Sequence, residues 1–211
     1  MNSKQKLLEN LLKKGENEKL EFKQKINDKN KISKTIASFA NNKGGVILVG
    51  VKDDKTIINI DPEEEKYMLL EAAEHYCNPP VPLKFIEIED EETGKIIMAV
   101  LIRESSKKPH FSKVHNDWKV YIRQNDQSVM ASSLNISLMK KGALHEEENQ
   151  ALTDMEQHIL SFLKYNKRIT VKQFMKLKNI SQRRAQRILT GLVINGVLKL
   201  NDLEKENYYT I

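Results

Sequence analysis

The heptapeptide Ser181-Gln182-Arg183-Arg184-Ala185-Gln186-Arg187 carries two side-chain types that can read base edges. Arginine can donate a bidentate pair to guanine, and glutamine can pair in the same way with adenine. Ser181 is a helix cap, and Ala185, Ile188, Leu189 and Leu192 follow at spacings of three and four, which makes one apolar face. Gln182, Arg183, Gln186 and Arg187 then project from the polar side of the first turns. Lys172, Lys176 and Lys178 precede them in a short helix and are phosphate-contact candidates. An arginine-rich helix can equally be a solvated surface or a protein-binding face, so an adaptor reading stands beside DNA binding.

Other reactive side chains offer less. His75 and Cys77 lie two apart with no further soft ligand near them in sequence, so a packed or surface role is expected. His145-Glu-Glu-Glu-Asn149 lacks the second histidine of a zinc protease. His110 and His115 flank Phe111 in a loop around Pro109 that reads as solvated, although such a loop can touch phosphate or base. Ser105-Ser106 has no paired base in the neighbouring sequence, which leaves a serine nucleophile without support. Trp118 and Tyr121 read as core or interface. Asn42-Lys43-Gly44-Gly45 lacks the spacing of a phosphate-binding loop and falls after a helix and before a strand, the reverse of that motif.

The elements that must position these residues fall into two groups. Residues 151–211 hold eleven Lys/Arg against five Asp/Glu, whereas residues 1–150 hold 24 of each sign, so the net charge of +6 resides in the last 61 residues. Such asymmetry points to a polyanion partner. Three helices are expected here, over Thr153 to Tyr165, after Thr170 and after Ser181. A hairpin of Val197 to Leu200 with Tyr208 to Ile211 follows, and the whole is the pattern of a winged helix-turn-helix over 152–211. Residues 141–151 read as a linker, and residues 1–140 as an α+β domain.

In that first domain Met1 to Lys14 is an amphipathic helix that packs on the domain or on a partner. Leu20 to Lys23 is a strand, and Asp28 to Asn41 a helix with Ile32, Ile36, Phe39 and Ala40 on one face. Gly44-Gly45 turns the chain into the apolar run Val46 to Val51, the signature of a strand covered on both faces. Thr56 to Ile60 is a hairpin partner for it. Asp61-Pro62 opens a second helix, running to about Tyr76. Strands are expected over Leu83 to Ile88, Lys95 to Ile102 and Lys119 to Arg123. A single cysteine forms no internal disulfide, and no apolar run approaches the roughly 18 residues of a membrane span, so the expected setting is a reducing cytoplasm.

Glu16-Asn-Glu-Lys-Leu-Glu-Phe-Lys23, then Ile36-Ala-Ser-Phe-Ala-Asn-Asn-Lys-Gly-Gly-Val-Ile-Leu-Val-Gly-Val51, resembles the Schlafen AlbA-type domain. Lys108-Pro109 and Tyr121-Ile122-Arg123 continue the likeness, which covers about residues 5–140. The resemblance implies a mixed sheet with packed helices and nucleic-acid binding, in bacterial members often with a following winged helix. It further implies a DNA-binding transcriptional regulator, with RNA as another ligand, and a homodimer. It also brings in an enzyme reading. Schlafen ribonucleases carry two glutamates five apart and a later aspartate, and the matching positions are Glu16, Glu21 and Asp53, with Asp54 as an alternative third. Three converging carboxylates would hold Mg²⁺ or Mn²⁺ for phosphodiester cleavage; outside that nuclease reading no cofactor is expected.

Overall fold

The computed structural model describes residues 3–142, 154–194, 196–201 and 207–211. The chain divides into two compact units, Met1–Ala131 and Ser132–Ile211. Mixed α and β structure is found in both.

The axis of the first unit is β2 (Gly45–Val49). It pairs in parallel with β1 (Leu20–Lys23) and antiparallel with β5 (Ile96–Ile102), which pairs antiparallel with β4 (Leu83–Glu89). Because side chains alternate along a strand, Ile47 and Val49 enter one core while Val46 and Leu48 enter another. This is the burial on both faces that the uninterrupted apolar run implies. Helix α1 (Ser3–Lys14) closes the second core with Leu8, which is fully buried, and with Leu11 and Leu12. The amphipathic N-terminus therefore packs on its own domain. The expected hairpin partner at Thr56 to Ile60 is reduced to a single bridge, Val51 with Ile57.

The other core lies under α2 (Lys29–Asn41) and α3 (Pro62–His75). Asp28 caps α2 by accepting from the Asn30 and Lys31 amides at 2.8 and 3.2 Å, and Asp61 caps α3 ahead of Pro62. A second sheet, β3 (Cys77–Asn78), β6 (Phe111–Val114), β7 (Asp117–Gln124) and β8 (Gln127–Met130), is antiparallel throughout. Of its strands the sequence announces only β7. Pro109 directs attention to a loop where β6 begins, and β3 and β8 are too short to show an alternation. Trp118, expected in a core or interface, stands 44% exposed on β7.

Helix α2 is covered on more than its apolar stripe. Ile36 and Phe39 face the main core, whereas Ser33, Ser38 and Asn41 are buried toward the second sheet. The Ser33 hydroxyl lies 2.7 Å from that of Ser112, and the Ser38 hydroxyl 2.9 Å from that of Ser128. Asn41 donates to the carbonyls of His110 and Tyr121 at 2.8 and 2.9 Å and accepts from the His110 amide at 2.7 Å. Buried polar groups require such partners. Small hydroxyl and amide side chains also let the sheet approach the helix closely. Gly44, at φ +70°, then reverses the chain: a Cβ there would stand 2.6 Å from the Ile102 carbonyl oxygen, and one on Gly45 would stand 2.4 Å from the Phe39 ring.

In the second unit, α4 (Ser133–Gly142), α5 (Asp154–Asn166), α6 (Val171–Lys178) and α7 (Gln182–Ile194) accompany a three-stranded sheet. The sheet has β11 (Tyr208–Thr210) in the centre, antiparallel to both β10 (Lys199–Asn201) and β9 (Ile169–Thr170). Ile159, Leu163, Phe174, Ala185, Leu189, Leu192 and Tyr209 form its core. Leu134 of α4 packs against that core, so packing divides the chain after Ala131, ahead of the linker that composition suggests over residues 141–151. Residues 143–151, most of the expected linker, and with them His145 to Asn149, lie outside the described residues.

Two predictions concern the first unit. Gly45→Ala lowers its unfolding free energy by roughly 1–3 kcal/mol, the usual cost of overpacking, measured by urea denaturation with Trp118, the sole tryptophan, as reporter. Burial holds the His110 imidazole below its ordinary value of 6.5, although the Pro79 carbonyl acts in the other direction. The unfolded chain therefore takes up a proton near pH 6.5 that the folded chain refuses. This contribution to stability is present above that pH and is lost as pH falls through the lower folded value. The urea midpoint should decline from pH 7.5 to 5.5, and decline less steeply in His110→Gln.

Candidate nucleic-acid interface

The basic surface of the second unit is built on two capped helices. Thr170 and Gln173 form a capping box at the start of α6: the Thr170 hydroxyl accepts from the Gln173 amide at 3.2 Å, and the Gln173 side chain accepts from the Thr170 amide at 2.8 Å. Asn179 ends α6 in the left-handed region, at φ +48°. Two residues later the Ser181 hydroxyl accepts from the Arg184 amide at 3.3 Å and opens α7. This short turn fixes α7 against α6, and Phe174, Ala185 and Leu189 seal the joint.

With Ala185 and Leu189 turned inward, Gln182, Arg183, Gln186 and Arg187 are all exposed, as their spacing predicts. Arg184 is exposed as well, although it was not among the residues singled out from the sequence. Its place beside the apolar stripe hid it; three arginines within five residues was the available signal. Arg183, Arg184, Gln186 and Arg187 line one groove of about 670 Å³ with Ser133 and Ser137 of α4. Thr190 lines it too, yet is only 4% exposed despite lying on the outward side of α7. Helix α4 packs against α7, and its Ser133 and Ser137 share this groove with the first-turn arginines of α7.

Lys172 and Lys176 are exposed on α6, while Lys178 is half-buried with its ammonium 2.7 Å from His158 Nδ1. Arg168 stacks over the Tyr208 ring at 5.2 Å and ties β11 to the residues before β9. These cations belong to the same compact unit as α7.

The three carboxylates of the first unit are arranged otherwise. Glu21 lies on β1 and accepts from Arg123 Nη1 at 2.9 Å, with the Lys23 ammonium on its other oxygen. Arg123 reaches it from β7; its side chain is 1% exposed and also donates to the Asn17 carbonyl at 3.0 Å and the Ser128 hydroxyl at 3.2 Å. Its guanidinium lies 4.6 Å from the Phe39 ring centre. Glu16 accepts from the Phe22 amide at 2.8 Å, an interaction that closes the turn before β1. Asp53 is exposed in the turn after β2. Asp54 there accepts from the Thr56 amide at 2.9 Å, and its hydrogen bonds to Thr56 lower its carboxyl below the ordinary range. Among the described residues no three His, Cys, Asp or Glu side chains gather into a group able to hold a metal ion. Glu21 is instead neutralised by two cations, and Glu16 is engaged with backbone. Cys77 is buried, which pushes its thiol up to about 12, while His75 sits beside Glu71 on the surface; the two share no site.

Residues 16–132 match the family model described as Schlafen, AlbA_2. The chain belongs to that family. The match takes in Glu16, Glu21, the Gly44-Gly45 turn and Arg123, and ends where the first unit ends. Among solved structures the chain resembles the DIP2311 protein from Corynebacterium diphtheriae, at 14% identity and a TM-score of 0.42, over 59% of this chain and 24% of that one. It also resembles the N-terminal domain of a protein from Nitrosomonas europaea described as related to the ATP-dependent DNA helicase RecG. There the identity is 20% and the TM-score 0.45, over 73% of this chain and 97% of that domain. The chain thus spans about a quarter of the first of these proteins. No curated protein matches it.

In this Schlafen AlbA_2 domain the Glu21–Arg123 pair holds strands from two sheets together. Glu21→Ala leaves a guanidinium buried without its carboxylate and should lower stability by roughly 3–5 kcal/mol. Glu21→Leu with Arg123→Met should recover most of that loss. Denaturation of both variants with and without Mg²⁺ checks this; a midpoint raised by Mg²⁺ in the parent alone would instead mark Glu21 as a metal ligand.

Proposed function

We propose that this protein binds nucleic acid through its second unit, acting as a winged helix-turn-helix, and that it serves as a DNA-binding transcriptional regulator. The observation that carries the reading is the exposed set Gln182, Arg183, Gln186 and Arg187 on the first turns of α7, held outward by buried Ala185 and Leu189. In a helix-turn-helix the N-terminal residues of the second helix meet base edges, and these four side chains stand exposed on the first turns of α7. Arginine and glutamine provide bidentate donors and acceptors for guanine and adenine. Lys172 and Lys176 on α6 supply phosphate contacts that set the register. The concentration of net positive charge in residues 151–211 supports the same reading.

In that reading β10 and β11 are the strands of the wing; residues 202–206 between them lie outside the described residues. The Schlafen AlbA_2 unit then acts as a platform that pairs two copies, so that two winged helices address one duplex. The setting for such a role is the cytoplasm; no helix among the described residues is long and apolar enough to cross a membrane.

The test is duplex binding across a salt series. Arg183→Ala with Arg187→Ala should weaken binding at least tenfold. If both contact phosphate, the slope of log K against log salt should fall by about two. Binding that ignores both substitutions, or that follows structured RNA in preference to duplex DNA, would contradict the reading. Mg²⁺-dependent cleavage lost in Glu21→Gln would replace it with a nuclease.

A further inference from the structure

A cleft of about 900 Å³ opens in the first unit along β2, β5 and the residues before β4. Leu20, Val46, Val81, Leu83 and Leu101 give it an apolar floor. Its rim is cationic: Lys14, Lys19, Lys84, Arg103 and Lys107 stand there against Glu104 alone among the acids. Nothing in the proposed nucleic-acid role uses this space.

Two side chains in its lining are paired in a way the sequence did not suggest. The Ser105 hydroxyl lies 2.6 Å from His110 Nε2, and His110 Nδ1 lies 2.7 Å from the Pro79 carbonyl oxygen. A carbonyl only accepts, so Nδ1 carries the proton. Nε2 is then a bare lone pair, and the hydroxyl must donate to it. The tautomer is fixed by the bond on the far side of the ring, which is the task of the third member of a serine–histidine–acid triad. The base for Ser105 comes from five residues on, where Asn41 anchors the His110 backbone through both its amide and its carbonyl. His110 is buried, whereas Ser105 is only half-buried and lines the cleft. Burial keeps the imidazole neutral near pH 7, the state a general base needs.

We propose that Ser105 is a nucleophile activated by His110, acting on esters whose apolar acyl part lies along the cleft floor and whose anionic part meets the lysine and arginine rim. Ser105 Oγ attacks the acyl carbon as its proton passes to His110 Nε2. The ester C–O bond then breaks, and the departing alcohol takes that proton, leaving an acyl ester on Ser105. Water attacks that ester, gives a proton to Nε2 and releases the carboxylic acid, and the proton returns to Ser105. The Pro79 carbonyl takes no proton and serves to position the ring.

The test uses the full chain with an alkyl fluorophosphonate, which a serine activated in this way attacks with loss of fluoride. Intact mass should show one adduct, and peptide mapping should place it on Ser105. Ser105→Ala, which removes a single hydroxyl, should abolish the adduct, while Ser106→Ala should retain it. The labelling rate of the unaltered chain should fall as acidification protonates an imidazole, and His110→Asn should slow it at least tenfold. Hydrolysis of a short-chain acyl ester bearing a carboxylate should follow the same pattern. No adduct on folded protein, an adduct that persists in Ser105→Ala, or a labelling rate unchanged in folded His110→Asn would each overturn the proposal.

Discussion

Arg123 is the point on which the first unit turns. Its guanidinium crosses from β7 of one sheet to Glu21 on β1 of the other and also binds the Asn17 carbonyl and the Ser128 hydroxyl. Taking a guanidinium out of water is expensive, and it is tolerated only where carboxylate, carbonyl and ring faces meet it together. Those partners come from the turn before β1, from β1, from α2 and from β8, so all four segments must be in place at once. The pair contributes less to net stability than to uniqueness: an arrangement with either sheet displaced leaves a buried charge without its counter-charge. For Glu21 this has a functional consequence. A carboxylate already held between Arg123 and Lys23 is a poor vacancy for a divalent cation.

The central helix satisfies the same constraint in a second way. Its apolar stripe was plain in Ile32, Ile36, Phe39 and Ala40, and the strand that follows was plain in the unbroken run to Val49. The burial of Ser33, Ser38 and Asn41 was not legible. Small polar residues on the far face of an amphipathic helix look like a solvated surface, and only the second sheet turns that face inward. Two of that sheet's strands span four residues each and a third only two, too few for a period to show. For the same reason the pairing of Ser105 with His110 could not be read: five residues apart in a loop, they meet only because Asn41 holds the backbone of His110.

In the second unit local signals and tertiary packing agree. Thr170 and Ser181 cap the helices they precede, Ala185 and Leu189 fall in the core, and Gln182, Arg183, Gln186 and Arg187 fall outside. Sequence spacing identifies the apolar stripe of α7 correctly, although Thr190 on its polar side is buried as well. What it could not show is α4. Ser133, Leu134 and Ser137 lie outside any expected motif, yet they line one groove with Arg183, Arg184, Gln186, Arg187 and Thr190.

The proposed role requires the first turns of α7 to be the surface that meets nucleic acid. Amide chemical shifts of isotopically labelled protein, followed during titration with duplex DNA at low salt, test this most directly. The perturbed amides should cluster over residues 181–187 and along α6, with β1, β7 and the Glu21–Arg123 pair unmoved. Perturbations centred on the first unit, with α7 silent at saturating DNA, would contradict it.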